Sequence, residues 1–123
     1  MFIASYLLNF MDRAGCSTVC IGFESINPMT LKAYKKNQTI DDIVRAIRSI
    51  RKNKIEIYGM FVLGGEDDSK ETIWETLKFA IKQKIDAIQM MVLTPFPGTK
   101  VYDDLIAQKR FLIPTGTFMT AST

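Results

Sequence analysis

The chain has 123 residues, 47% hydrophobic and 24% charged, with a net charge of +3 and no histidine. That length suits one domain with a real core but only about half of an eight-stranded α/β barrel, which needs roughly 250 residues. The missing histidine excludes histidine-ligated zinc, Ser-His-Asp triads and Cys-His pairs, and the basic clusters Lys35-Lys36 and Arg48 to Lys54, without interleaved aromatics, read as solvated helix faces and not as a nucleic-acid surface.

Ile3, Leu7, Phe10, Met11 and Ala14 repeat at helical spacing, and Gly15 supplies the left-handed residue that commonly ends a helix. This apolar opening is too short to span a bilayer, follows no positive charge and is broken by Asp12-Arg13, so it predicts an amphipathic helix of a cytoplasmic protein with no membrane partner. Thr18 to Phe23 predicts a strand, and Asn27 to Tyr34 a brief helix led by Pro28. A stronger helix follows, with Thr39 as cap, Asp42 three residues on, and an apolar stripe of Ile40, Ile43, Val44, Ile47 and Ile50. Ile55 to Leu63 is the second predicted strand. Asp68 and Glu71 are spaced as a capping box for a helix whose buried stripe is Ile73, Leu77, Ala80 and Ile81. Ala87 to Leu93 is the third strand, Thr94 to Thr99 a proline-fixed loop, and Lys100 to Arg110 a last helix. The organisation predicted is a partial barrel over residues 1–112 and an irregular tail over 113–123.

The second and third strands are nearly continuous apolar runs, which predicts burial on both faces in a parallel sheet with crossover helices. The fold class is therefore α/β: three parallel strands with flanking helices, a partial (β/α) barrel. Three strands cannot close such a barrel, so two edges and one face are expected to be covered by the rest of a barrel or by a second copy.

The only two cysteines lie in GCSTVCIGFES, with Phe23 where a further cysteine would complete C-x-x-x-C-x-x-C. On an extended strand Cys16 and Cys20 stand roughly 13 Å apart at about 3.3 Å per residue, too far for a disulfide or a shared cluster. Cys16 then reads as a loop thiol and Cys20 as a small core residue.

In barrels, reactive groups gather at the carboxyl ends of the strands. Here those ends are Phe23-Glu24-Ser25, Gly64-Gly65-Glu66-Asp67-Asp68 and Thr94-Pro95, whereas Ser17, Lys54 and Asp86 at the opposite ends read as plain loop residues. Glu24 shares strand parity with Gly22, which leaves room for a ligand beside the carboxylate; Glu24 either accepts hydrogen bonds from sugar hydroxyls or an ammonium group, or pairs with a lysine. Gly64-Gly65 either lets a flat ligand approach the backbone or meets the demand of a turn. Glu66, Asp67 and Asp68 lack the spacing of a calcium loop, and Gly98-Thr99-Lys100 lacks the full phosphate-loop pattern. Met60, Met90 and Met91 read as core.

Together AGCSTVCIGFESINP, LKAYKKNQT, GMFVLGGEDDSKET and LTPFPGT resemble the radical S-adenosylmethionine superfamily, especially its subgroup with a cobalamin-binding domain upstream, over roughly residues 4–112. The resemblance implies strands four to six of a (β/α)₆ barrel. It also implies an iron–sulfur enzyme, of oxidoreductase or methyltransferase type, whose complete form holds a [4Fe–4S] cluster and S-adenosylmethionine and performs radical chemistry, with cobalamin a further candidate cofactor. By resemblance Glu24 and Ser25 contact the ribose and methionine portions of S-adenosylmethionine, and Val62, Gly64, Gly65, Glu66 and Asp67 lie near adenine. Gly65 stands where subgroup members often carry a bulky apolar residue. Cys16 and Cys20 do not match the family's three-cysteine loop, so the chain is expected to carry no cluster ligand and to be inactive alone. The competing expectations are a non-catalytic half-barrel that pairs with itself or a partner, and an unrelated barrel fragment using Glu24 and Glu66 as acid and base.

Overall fold

A computed structural model describes residues 5–110, so the predicted tail over 113–123 and Ile3 lie outside the described residues. These residues fall into two units divided between Leu93 and Thr94.

The first unit is a three-stranded parallel sheet in the order β1-β2-β3, formed by Thr18–Glu24, Glu56–Leu63 and Ala87–Val92. Four helices accompany it: α1 (Ser5–Arg13), α2 (Pro28–Ala33), α3 (Ile40–Lys52) and α4 (Lys70–Lys82). The predicted α/β class and parallel pairing are thus observed. Local chemistry sets the helix ends. Gly15 takes φ +88 just after α1. The Asn27 side chain accepts the Met29 N–H to start α2, with Pro28 in its first turn. Thr39 and Asp42 form the predicted capping box of α3.

The core lies between the sheet and α3. Ile43, Ile47 and Ile50 of α3 meet Phe23, Ile55, Ile57 and Phe61, all essentially inaccessible to solvent. Phe23 and Phe61 stack with ring centroids 5.6 Å apart. Burying each such side chain contributes about 1.5–3 kcal/mol. Ala46 joins the α3 stripe, whereas Val44 is half-buried.

The chain departs from sequence expectation at several places. In α1 the inward residues are Leu8 and partly Met11, while Leu7 and Phe10 face outward. The buried stripe of α4 is Thr72, Thr76 and Ala80, leaving Ile73, Trp74 and Ile81 exposed. The threonines suit that position because the Thr76 hydroxyl donates to the Thr72 carbonyl at 2.7 Å, which satisfies it inside the helix. The cap of α4 is Ser69, whose N–H donates to the Thr72 hydroxyl at 2.9 Å, and not Asp68 with Glu71.

The strands are not buried on both faces. Ile57, Gly59 and Phe61 of β2 face the core, but Tyr58, Met60 and Val62 on the other side are half-buried, and β3 has no fully buried residue. On this open face the register lines up Cys20, Tyr58 and Ala87, then Gly22, Met60 and Gln89, then Val62 and Met91. Its rows bond laterally, with the Tyr58 hydroxyl donating to Gln89 Oε1 at 3.2 Å. Cys20 is exposed there and is not a core residue. Met60, Met90 and Met91 are likewise half-buried or exposed.

At the amino ends of the strands Asp86 is more than a loop residue. Its Oδ2 accepts the Ile57 N–H at 2.9 Å and faces Arg51 of α3 at 3.2 Å, so one carboxylate joins β2, β3 and α3. In the second unit, α5 (Lys100–Ala107) starts at Thr99, whose hydroxyl accepts the Tyr102 N–H, after Gly98 at φ +85. Among the described residues no helix is long and apolar enough to cross a membrane.

Candidate functional site

Strand β1 ends irregularly. Its register with β2 runs from Gly22 opposite Met60 directly to Glu24 opposite Phe61, so Phe23 is the additional residue of a bulge. Phe23 points into the core, and the chain recovers by placing Glu24 at φ +68. A left-handed backbone costs a residue with a Cβ about 1–2 kcal/mol, and strain of this kind collects where a side chain must be aimed. Here it folds the Glu24 side chain over Gly22. A Cβ on Gly22 would stand 2.6 Å from Glu24 Oε1. The space that the sequence reserved for a ligand beside the carboxylate is therefore filled by the carboxylate itself.

Residues of the LKAYKKNQT stretch complete this end. Lys36 Nζ lies 3.3 Å from Glu24 Oε1, and the Gln38 amide donates to the Phe23 carbonyl at 3.2 Å. Both reach in from a groove of about 480 Å³ between α2 and the start of α3, also lined by Leu31 and Lys35. The lysine pairing, one of the two alternatives for Glu24, is thus present. Ser25 is buried and its hydroxyl accepts the Asn27 N–H at 2.9 Å, which shapes the β1–α2 loop.

The end of β2 is organised by Asp68. Its Oδ2 accepts the N–H groups of Gly64 and Gly65, both at 2.9 Å, and its Oδ1 accepts the Thr30 hydroxyl at 3.1 Å. Gly64 is required by φ +97 and Gly65 by space. A Cβ on Gly65 would lie 3.1 Å from the Thr30 methyl, 3.3 Å from the Tyr34 hydroxyl and 3.4 Å from Asp68 Oδ2, which explains why no bulky residue stands there. The Asn27 amide donates to the Asp67 carbonyl at 3.0 Å, so the loops after β1 and β2 are joined. Glu66 and Asp67 are exposed on that turn, and Val62 stands beside Met91 on the open face.

Tyr34 was not singled out from the sequence, yet its hydroxyl is the buried side-chain oxygen without a hydrogen-bond partner among the described residues. Burial, then the negative charges of Asp68 and Glu24, push its phenol above the ordinary value. Those two acids come from different strand ends, and Tyr34 sits in the field of both. An aromatic within a run of lysines, KAYKK, is a weak signal from which its position could not be read.

The thiols do not converge. Cys16 donates to the Thr18 carbonyl at 3.6 Å and packs partly against the helix-side core, while Cys20 is on the open face. Among the described residues no group of three His, Cys, Asp or Glu side chains is placed to hold a metal ion. The residues described do not fit an iron–sulfur cluster. The β1 and β2 ends hold a carboxylate acceptor, Glu24, and an unsatisfied phenol, Tyr34.

Residues 6–80 match the family model "Radical SAM superfamily". The bacteriochlorophyllide d C-12(1)-methyltransferase of Chlorobaculum tepidum is 35% identical over 94 residues, 76% of this chain and 21% of that protein. The anaerobic magnesium-protoporphyrin IX monomethyl ester cyclase of Cereibacter sphaeroides is 29% identical over 99 residues, 80% of this chain and 16% of that protein. In structure, the chain is similar to the radical S-adenosylmethionine methyltransferase TsrM of Kitasatospora setae, solved with cobalamin and a [4Fe–4S] cluster bound. That likeness has a TM-score of 0.77 at 19% identity and covers 94% of this chain and 22% of that one. The chain spans about a fifth of the length of these relatives.

Proposed function

The chain belongs to the radical S-adenosylmethionine superfamily, and from that premise we propose that it forms the cosubstrate-holding wall of an enzyme of the methyltransferase and cyclase type found among its relatives. One observation carries this reading. Glu24 is held in a strained backbone so that its carboxylate lies over Gly22 at the end of β1. The cosubstrate supplies the radical chemistry. Glu24 accepts hydrogen bonds from its ribose hydroxyls or ammonium group, Lys36 balances the carboxylate until ligand arrives, and Ser25 fixes the loop that carries Glu24. Val62, Gly64, Gly65, Glu66 and Asp67 form the adjoining wall, with the two glycines letting a flat ring approach the main chain.

The cluster, in this proposal, is held by cysteines outside this chain, since the chain has only Cys16 and Cys20 and such a cluster is held by more than two thiolates. Cobalamin, bound in the solved relative, is assigned no residue here. Alone, the chain then binds S-adenosylmethionine without turnover. Calorimetric titration with S-adenosylmethionine tests this. Saturable binding that Glu24→Gln weakens at least tenfold is expected, and equal binding by both overturns the assignment. Anaerobic incubation with iron and sulfide checks the cluster clause, because a stoichiometric cluster retained by this chain contradicts it.

A second reading rests on the open sheet face. Cys20, Tyr58, Gln89 and Met91 lie on a side that the unit's helices do not bury. It is completed by the rest of a barrel or by a second copy of the chain, and in the latter case the chain is an assembly module. Light scattering decides between them, a concentration-dependent dimer favouring self-pairing and a strict monomer counting against it.

A further inference from the structure

The Tyr34 hydroxyl is buried and makes no hydrogen bond among the described residues. A buried polar group left unsatisfied is costly, and native proteins rarely keep one without a water, a ligand or a functional use. Protein neighbours do not supply the missing bond. Asp68 already accepts from Gly64, Gly65 and Thr30, and Glu24 Oε1 is engaged with Lys36. The hydroxyl nevertheless stands beside Gly65, where any side chain would press on it. The charges of Glu24 and Asp68 raise its pKa further, so at neutral pH it remains a protonated donor.

We infer that Tyr34 is a ligand-contact residue of the cosubstrate site, donating its hydroxyl proton to a ribose oxygen whose own proton is accepted by Glu24. The inference rests on the cosubstrate reading above. A sugar diol both donates and accepts, and a carboxylate acceptor over Gly22 at the end of β1 with a phenol donor against Gly65 at the end of β2 matches it on both counts. Neither residue alone distinguishes a hydroxyl from an ammonium group or a carbonyl. Together they select the diol. Lys36 releases Glu24 Oε1 as the ligand takes its place, and the Gly64-Gly65 turn, without side chains, lets the ligand approach the main chain.

The test compares the chain with Tyr34→Phe and Glu24→Ala by titration with S-adenosylmethionine and by thermal melting without ligand. Tyr34→Phe is expected to bind five- to tenfold more weakly, the loss of one hydrogen bond, while melting no lower than the parent because no protein bond is removed. Binding that Glu24→Ala weakens and Tyr34→Phe leaves within twofold overturns this inference and leaves the cosubstrate reading standing. A Tyr34→Phe chain that melts several degrees lower overturns it too, since the hydroxyl is then satisfied within the protein or by a structural water. A parent chain with no measurable binding overturns both readings.

Discussion

Replacing Gly22 by alanine separates the site from the fold. The new methyl would lie 2.6 Å from Glu24 Oε1 and 3.5 Å from its carboxyl carbon, with nothing else within 4 Å. The obstruction is the far end of a flexible side chain, so Glu24 rotates away and the strand stays in place. Gly22 is not at positive φ, and alanine there gains about 0.4–1 kcal/mol by restricting the unfolded chain. The Glu24–Lys36 pair that is lost is partly exposed and contributes about 0.2–1 kcal/mol. The two effects nearly cancel, so urea unfolding should give a stability within about 1 kcal/mol of the parent at unchanged m. Binding behaves differently, because the carboxylate leaves its position and affinity for S-adenosylmethionine falls at least tenfold. In the double variant Gly22→Ala, Glu24→Ala the added methyl meets nothing, and its effect on binding should vanish. Parent-like affinity in Gly22→Ala, or a stability loss above about 2 kcal/mol, refutes the reasoning.

Three further outcomes are expected. Asp68→Ala frees two glycine N–H groups and the Thr30 hydroxyl and should cost about 2–3 kcal/mol in urea unfolding, a loss below about 0.5 kcal/mol showing the turn to be held otherwise. Phe61→Ala empties the centre of the core beside Phe23 and should cost about 3–5 kcal/mol in the same assay, whereas a surface-like value would contradict the packing. The Asp42 carboxyl is lowered from 3.8 to about 2, first by the Thr39 backbone N–H, then by the Thr39 hydroxyl and Arg45. Because the folded value lies below the unfolded one, the stability it contributes is complete above pH 3.8 and is lost as pH falls toward about 2. Melting temperatures of the parent and Asp42→Asn should converge across that window, and a constant gap would show that this carboxyl is not the cause.

Much of the fold was legible because its signals are local. Thr39 and Asp42 sit three residues apart and cap α3 as their spacing says, and Gly15 stops α1 for the reason that any glycine at φ +88 can. Asp68 was misread because it precedes Ser69, an equally good cap, while its actual partners Thr30, Gly64 and Gly65 become neighbours only in the folded sheet. The α4 stripe was misread because isoleucine and tryptophan are more apolar than threonine, yet the side that meets the fold carries Thr72 and Thr76. Apolar runs in β2 and β3 suggested two covered faces, although the helices of this unit cover one. At the site, a lysine partner was one of two alternatives the spacing left open for Glu24, and the bulge that aims the carboxylate could not be read, since a register shift depends on two strands at once. Tyr34 was invisible for the same reason.

The uneven covering of the sheet also orders how the unit comes apart. Strand β2 is bonded on both sides and carries Ile57 and Phe61 into the α3 core, so its amides should exchange with solvent only on global unfolding. Strand β3 is bonded along one edge, with Val92 74% exposed, and α4 leaves Trp74 64% exposed. These two should open first, as one cooperative segment that exposes the edge of β2 while the bulge and Glu24 stay folded. In deuterium exchange the carboxylate end of β1 would then outlast the third strand, and a protease would cut near α4 well before the site itself is lost.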